Sequence, residues 1–349
     1  MPLKRNTINL GKDLFRSCSG LLSRPLWHLL SHFRGSGTVL CYHRVFPHED
    51  DRFLSTADFS IEPCFFEQHL AYLCSRHNVI SMDTLVAALK GEETFPPDAI
   101  ALTFDDGYSD FKDYALPLLE KYSVPATVYV CSDFLSGRGR LWWHDLDDIV
   151  GVGGPIIFSW EGQEYNFNST GDANRSLVYQ QLRSLFIQTD TSLYENLIQT
   201  LFNSVGISSE LRGSVKMMNW KDIKKLDENS LVTIGAHTQT HSVLSSLNEK
   251  RVGEEILNSR LLLEKALNRS VIHFAYPFGT EVEAGKREYT IARNCGLSSA
   301  VTLIKKHIFP KQIDLYAIPR FHVPRRASSV NRLRGMISGL ELKSLQQFQ

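Results

Sequence analysis

Short apolar runs alternate along the chain with longer segments in which apolar residues recur at helical spacing. The short runs predict strands buried on both faces, and the longer segments predict amphipathic helices. The predicted strands cover residues 38–42, 99–104, 126–131, 231–236, 273–276, 299–303 and 317–323. The predicted helices cover residues 62–77, 81–89, 111–122, 248–267 and 286–294. This repeated alternation predicts an α/β protein with a parallel sheet, and the number of units favours a closed barrel over an open sheet.

The alternation is interrupted over residues 136–219, where the pattern predicts a β-hairpin followed by one or two helices. We interpret this stretch as an insertion within a single domain that covers residues 36–340. Residues 1–35 form a separate amphipathic segment, and the basic and apolar pattern of residues 10–33 predicts a helix. That helix either packs on the domain or lies on a membrane surface as an anchor.

Composition and charge narrow the class of protein. The chain has 349 residues, and its 38 basic and 38 acidic side chains balance, which gives no indication of nucleic acid binding. The six cysteines contain no C-x-x-C pair and are predicted to be reduced thiols. No secretory signal and no membrane span is evident. We therefore expect a cytoplasmic protein, with peripheral membrane contact through residues 10–33 as the alternative to a packed helix; the sequence does not indicate its oligomeric state.

Ionisable and turn-forming residues directly follow several of the predicted strands. His43 follows the first strand, Asp105 and Asp106 follow the second, and His237 and residues 277–279 follow later strands. In a barrel of parallel strands these positions meet at one rim, which is where the chemistry of such barrels occurs. This grouping is the main functional signal in the sequence.

His237 and His241 are four residues apart, at the corner between a predicted strand and the next segment. Two histidines at this spacing can reach one cation. Thr238 follows His237, so this is not the H-E-x-x-H motif of metalloproteases. A carboxylate from another strand would complete a site with two histidines and one acid. A divalent ion in such a site activates water and polarises a carbonyl group.

These motifs together resemble those of the polysaccharide deacetylases of carbohydrate esterase family 4, the NodB-homology group. The resemblance covers roughly residues 36–325 and implies a distorted (β/α)7 TIM-like barrel. It also implies a divalent metal, usually zinc, and hydrolysis of N-acetyl groups on the amino sugars of a polysaccharide or lipid-linked glycan. The segments that carry it are Thr103-Phe104-Asp105-Asp106-Gly107, His237-Thr238-x-x-His241, Tyr42-His43-Arg44-Val45, Pro125-Ala126-Thr127 and Phe274-Ala275-Tyr276-Pro277-Phe278-Gly279.

The resemblance assigns roles to individual residues. It makes Asp105 the general base, and it makes Asp106, His237 and His241 the metal ligands. It also implies that the metal and a backbone N–H near Tyr276 stabilise the oxyanion.

The family pattern also leaves an arginine and a general acid to be assigned. Many members carry a base-orienting arginine where this chain has Ala275, and we hypothesise that Arg320 on the last strand takes its place. For the acid, Tyr42-His43 resembles the arrangement in biofilm poly-N-acetylglucosamine deacetylases, whereas His307 matches a late L-x-x-x-H motif. We predict that His43 is the acid, and that His307 lies in an exposed turn.

Four further residues are candidates for substrate contact. Trp142 and Trp143, at the start of the insertion, either stack against sugar rings or pack the insertion on the barrel. Pro277 and Phe278, in the segment that carries the family resemblance, are predicted to contact the glycan.

Two other functions remain open from the sequence. The first is a non-catalytic glycan-binding protein on the same fold, which the missing arginine at Ala275 favours. The second is hydrolysis of a non-sugar amide, since a fold does not determine its substrate.

Overall fold

The computed structural model describes residues 36–47, 55–207 and 215–338. The predicted helix over residues 10–33 lies outside these ranges, so its membrane contact stays a prediction, as does the domain limit at residue 340. Among the described residues, no helix combines the length and apolar character needed to cross a membrane.

Strands and helices alternate through most of the chain. The strands are β1 (Gly37–Tyr42), β2 (Arg44–Val45), β3 (Ser60–Ile61), β4 (Asn78–Ile80), β5 (Ala99–Phe104), β6 (Ala126–Val130), β7 (Pro155–Trp160), β8 (Gln163–Asn168), β9 (Val232–Ala236), β10 (His273–Ala275), β11 (Ser299–Val301) and β12 (Phe321–His322). The α-helices are α1 (Pro63–Arg76), α2 (Met82–Lys90), α3 (Leu116–Tyr122), α4 (Ser132–Leu135), α5 (Trp142–Gly151), α6 (Asp172–Gln188), α7 (Tyr194–Val205), α8 (Trp220–Asp227), α9 (Glu249–Leu267), α10 (Lys286–Asn294) and α11 (Val330–Ile337). A π-helical turn over Phe111–Ala115 leads into α3.

The main sheet is parallel and has the strand order β12-β1-β5-β6-β9-β10-β11, with β4 paired to the first half of β5. Ile318, shortly before β12, forms a parallel bridge with Val301 of β11. The sheet therefore curls until its two ends meet, and the predicted (β/α)7 barrel is confirmed.

Strand register brings the functional residues to one rim. Tyr42 at the end of β1 lies beside Phe104 at the end of β5, and Val130 at the end of β6 lies beside Ala236 at the end of β9. Because parallel strands point the same way, the residues that follow them emerge on the same side of the sheet. The grouping expected from the sequence thus follows directly from the register.

The barrel interior is filled by side chains of unequal size. Tyr129 projects inward from β6, and a side chain on the neighbouring Gly235 of β9 would place its Cβ 2.5 Å from the tyrosine ring. Ala101 and Ala275 belong to the same buried cluster as Tyr129. The small residues leave room for Tyr129, whose ring in turn lies against the guanidinium of Arg320, 5.5 Å away.

The insertion has a buried apolar cluster of its own. The insertion consists of α5, the predicted hairpin (β7 and β8) and the predicted helices (α6 and α7), and side chains from these elements form the cluster. The sequence pattern did not predict the helices α4, α5, α8 and α11 or the short strands β2, β3 and β4.

The last predicted strand is shorter in the structure than expected. Residues 317–323 provide only the bridge at Ile318 and the two residues of β12. Pro319 separates these two contacts, and because proline has no N–H it cannot continue a hydrogen-bonded ladder.

Candidate active site

The side chains of Asp106, His237 and His241 converge at the carboxyl rim of the barrel. Asp106 Oδ1 lies 3.3 Å from His237 Nε2 and 3.2 Å from His241 Nε2, and all three residues are buried. Asp106 has a left-handed backbone (φ 75°), which turns its side chain away from the direction that Asp105 takes. Adjacent carboxylates therefore occupy different environments.

These three residues fit a divalent ion. Asp106 Oδ1 is buried and accepts no hydrogen bond of good geometry, so this polar atom lacks a protein partner. His237 Nδ1 donates to the carbonyl of Ala275 at 2.8 Å, which leaves Nε2 with its lone pair facing Asp106. In a tetrahedral site with bonds of about 2.0–2.1 Å, neighbouring ligand atoms lie roughly 3.3–3.4 Å apart, close to both distances observed here.

Aromatic side chains surround the ring of His241. Phe134 is stacked on it with ring centres 5.8 Å apart, Trp143 lies at 4.8 Å and Phe278 at 5.0 Å. Burial raises the pKa of Asp106, but the two histidine rings outweigh burial and hold that pKa well below its ordinary value. The Asp106 carboxylate of the candidate metal site is thus ionised, and apolar side chains surround the site.

Asp105 is paired with Arg320 in a fully buried contact. Arg320 Nη1 and Nη2 donate to Asp105 Oδ1 and Oδ2 at 2.7 and 2.6 Å. Further bonds to Thr103 and to the Thr302 carbonyl fix the guanidinium. Burial raises the pKa of Asp105, but the charge and hydrogen bonds of Arg320, together with the charges of His237 and His43, outweigh burial and the net shift is downward. The carboxylate is therefore ionised and held in one orientation.

His43 lies beside Asp105 at the same rim. One of its ring nitrogens, an oxygen of Asp105 and the sulfur of Cys41 all lie within 4.8 Å of one another. His322 packs edge-on against the His43 ring, with ring centres 5.1 Å apart. Burial lowers the pKa of His43, and the two aspartates only partly offset this effect.

A family model described as polysaccharide deacetylase matches residues 92–155 and 194–300. The matched ranges contain Asp105, Asp106, His237 and His241. The chain belongs to the polysaccharide deacetylase family. It is accordingly a hydrolase that acts on amide bonds.

Solved structures of similar fold agree with this family. The Streptococcus pyogenes deacetylase PplD, solved in complex with acetate, is 19% identical with a TM-score of 0.58, over 86% of this chain and 97% of that one. IcaB from Ammonifex degensii is 19% identical with a TM-score of 0.55, over 87% and 97%. A de-N-acetylase from Aggregatibacter actinomycetemcomitans is 15% identical with a TM-score of 0.54, over 86% and 99%. Among curated proteins, no match was found.

In this deacetylase, Arg320 should be a large contributor to stability. Arg320→Met should lower the free energy of unfolding by about 3–5 kcal/mol, because it leaves the buried Asp105 carboxylate without its counter-charge. Urea unfolding measures this loss. Arg251→Met is the control, since Arg251 makes only an exposed pair with Glu254, and such pairs contribute about 0–1 kcal/mol. Equal losses in both variants would contradict the argument.

The prediction that His307 lies in an exposed turn is wrong. His307 is 2% exposed, and its Nδ1 is hydrogen-bonded to Thr38 Oγ1 at 2.8 Å. Thr38 is near the start of β1, whereas His43 follows its end, so Thr38 and His43 are separated by roughly 16 Å of extended chain. His307 therefore belongs to the opposite end of the barrel from the metal ligands.

The two tryptophans pack the insertion and do not offer their faces to a sugar. Trp142 is 2% exposed and stacks on Phe186 of α6, with ring centres 4.7 Å apart. Trp143 is 6% exposed, and its Nε1 donates to the hydroxyl of Tyr108 at 3.0 Å. The prediction that they bind substrate is thus corrected, because neither ring face is open to solvent.

The sequence predicts a backbone N–H near Tyr276 as the oxyanion donor. The N–H of Tyr276 donates to the carbonyl of Val301 at 3.2 Å, and the Tyr276 side chain is buried. Its own N–H is therefore committed to the sheet. Phe278 has a left-handed backbone (φ 60°) and contacts His241. No described residue accepts a hydrogen bond from its N–H, so this group, just beyond Pro277, is a candidate for the donor.

The sequence interpretation missed Tyr108 and gave His144 no role. Tyr108 lies two residues after Asp106 and bonds to Trp143 and to His144 Nε2, the latter at 3.1 Å. No local pattern marks these residues, since the contact joins the barrel to the insertion.

Proposed function

We propose that this deacetylase is metal-dependent and removes N-acetyl groups from amino sugars of a polysaccharide or lipid-linked glycan. The observation that carries the proposal is the convergence of Asp106, His237 and His241 on one point. Two nitrogen ligands and one carboxylate oxygen suit zinc, and they leave positions open for water and substrate. When bound, the ion supplies a Lewis acid that polarises the acetyl carbonyl and activates water.

The remaining steps use groups of this chain. Asp105, ionised and held by Arg320, takes a proton from the attacking water. The open N–H of Phe278 is a donor for the oxygen of the acetyl carbonyl as negative charge develops there. His43, in its protonated form, gives a proton to the departing amine as the carbon–nitrogen bond breaks, which leaves acetate, a free amino sugar and a neutral imidazole ring.

The non-catalytic alternative loses its support. It rested on Ala275, which stands where many family members have a base-orienting arginine. Arg320, directly before β12, makes a bidentate contact with Asp105. The non-sugar amidase has no observation of its own in its favour.

Metal analysis combined with acetate release tests the proposal. The purified protein should contain one divalent ion per chain and should release acetate from N-acetylglucosamine oligomers or lipid-linked acetamido sugars. Removal of the ion with a chelator should abolish release, and zinc should restore it. Undiminished release from metal-free protein would overturn the metal dependence, and no release from any acetylated sugar by the metal-loaded protein would overturn the substrate class.

The acid assignment predicts different outcomes for two histidine variants. His43→Ala should lose about 10²–10⁴ in turnover with the metal retained, because an amine leaves poorly unless it is protonated. His307→Ala should change stability rather than turnover, since its ring bonds to Thr38 at the far end of β1. Steady-state rates and metal content of both variants decide the matter. Near-normal turnover of His43→Ala would exclude it as the acid.

A further inference from the structure

A cavity of about 360 Å³ lies between the barrel rim and the insertion. Its lining includes Phe134 after β6, His144 at the start of α5, Glu195 of α7, and four residues before α8, Val215, Met217, Met218 and Asn219. Its volume falls in the range of roughly 300–1,000 Å³ that ligand pockets occupy. None of the assigned catalytic residues or metal ligands lines this cavity.

The wall of the cavity borders the candidate metal site. Met218 N–H donates to the carbonyl of Gly107 at 2.9 Å, and Met217 pairs with Tyr108, so this part of the wall is bonded to the segment that follows Asp106. On another side, Phe134 both lines the cavity and stacks on His241. A ligand in the cavity would therefore contact residues that themselves contact the candidate metal site.

The ring of His144 has an N–H group that no described residue accepts. The Tyr108 hydroxyl accepts from Trp143 Nε1, so its own hydrogen is available for His144 Nε2. Nε2 then acts as the acceptor, and the proton of the neutral ring sits on Nδ1. Burial lowers the pKa of His144 to about 3, which agrees with a neutral ring. No described residue bonds to Nδ1.

The charges that line the cavity cancel. Arg138 is paired with Asp133, and Arg140 is paired with both Asp145 and Glu195. A lining with paired charges, spare hydrogen-bonding groups and one aromatic ring suits a neutral polyol better than an anion.

We propose that this cavity is a subsite for a neutral sugar residue of the glycan, adjacent to the residue that is deacetylated. The inference rests on the proposed function and specifies its substrate, since it requires a chain of at least two sugars for full activity. His144 Nδ1–H and the free Nδ2 of Asn219 donate to sugar hydroxyls, and the carboxylate of Glu195 accepts from them. Phe134 provides the apolar surface.

Filling the cavity tests the proposal. Val215 lines it and is only partly buried, so Val215→Trp places a large side chain there. The variant should lose about tenfold or more in kcat/KM for an N-acetylglucosamine tetramer, because the tryptophan excludes the neighbouring sugar and its hydrogen bonds to the lining. The loss should be much smaller for the monomer. His144→Phe, which keeps a ring but removes the donor, should show the same dependence on chain length.

Val152→Trp is the matched control. Val152 is 48% exposed at the far end of α5, outside the cavity lining, so the same substitution should leave the kinetics with both substrates unchanged. Equal losses with monomer and tetramer in Val215→Trp would overturn the subsite, as would equal efficiency of the unaltered protein on both.

Calorimetric binding of a glucosamine tetramer, the deacetylated product, separates this inference from the proposed function. Weaker binding by Val215→Trp than by the unaltered protein supports the subsite even if no acetate is released from any substrate. Equal binding by both proteins overturns it, whatever the activity.

Discussion

His237→Ala should yield a folded protein that holds no metal and releases no acetate. His237 provides one of three converging ligand atoms, and its Nδ1 is fixed by the Ala275 carbonyl. Loss of this nitrogen leaves two ligands, which cannot retain the ion at ordinary concentrations. The fall in turnover should exceed the about 10²–10⁴-fold expected from loss of an acid or base alone.

His273→Ala is the matched control for this variant. His273 is a buried histidine on β10, bonded to Ser299 and Asp83 at the amino ends of the strands. Its removal should lower the melting temperature but leave the metal content near one ion per chain. Metal analysis and circular dichroism of both variants give the comparison. A His237→Ala protein with stoichiometric metal and full turnover would remove His237 from the ligand set.

Asp105→Asn should retain the metal and lose about 10²–10⁴ in turnover, because an amide cannot take a proton from water. The geometry separates the two acids, since Asp105 bonds to Arg320 while Asp106 faces the two histidines. Metal content and kcat measured on one preparation test the separation. Parallel loss of metal and activity would make Asp105 a ligand.

A second buried acid controls for the loss of a buried ion pair. Asp110 accepts from Arg44 Nε at 2.7 Å near the same rim but has no place in the proposed chemistry. Asp110→Asn should therefore destabilise the protein while changing turnover far less than Asp105→Asn. Similar turnover in the two variants would indicate that stability, not proton transfer, explains the effect at Asp105.

The sequence predicted well which residues lie close together when those residues directly follow strands. Apolar runs located the strands that carry His43, Asp105 and His237, and the structure places all three at one rim. The alternation of strands and helices along the chain also predicted the barrel. The residue motifs then supplied roles that periodicity alone could not.

The incorrect expectations share a physical cause. Exposed and buried histidines or tryptophans have the same local sequence pattern when burial comes from a distant segment. His307 is covered because Ile308 pairs with Gly37 at the start of the chain's first strand. Trp142 is covered by α6, whose position on α5 is a tertiary contact. The cavity beside Phe134 could not be predicted for the same reason, as its walls come from separate segments.

The contact between Asp105 and Arg320 also bears on the order in which the protein matures. The two residues are 215 positions apart, and Arg320 precedes the last strand of the barrel. During synthesis, amino-terminal parts fold first. Asp105, the proposed general base, therefore gains its counter-charge only after almost the whole barrel has been synthesised. A nascent chain that ends before residue 320 should have no competent active site. We therefore expect deacetylase activity to appear only when the barrel is complete.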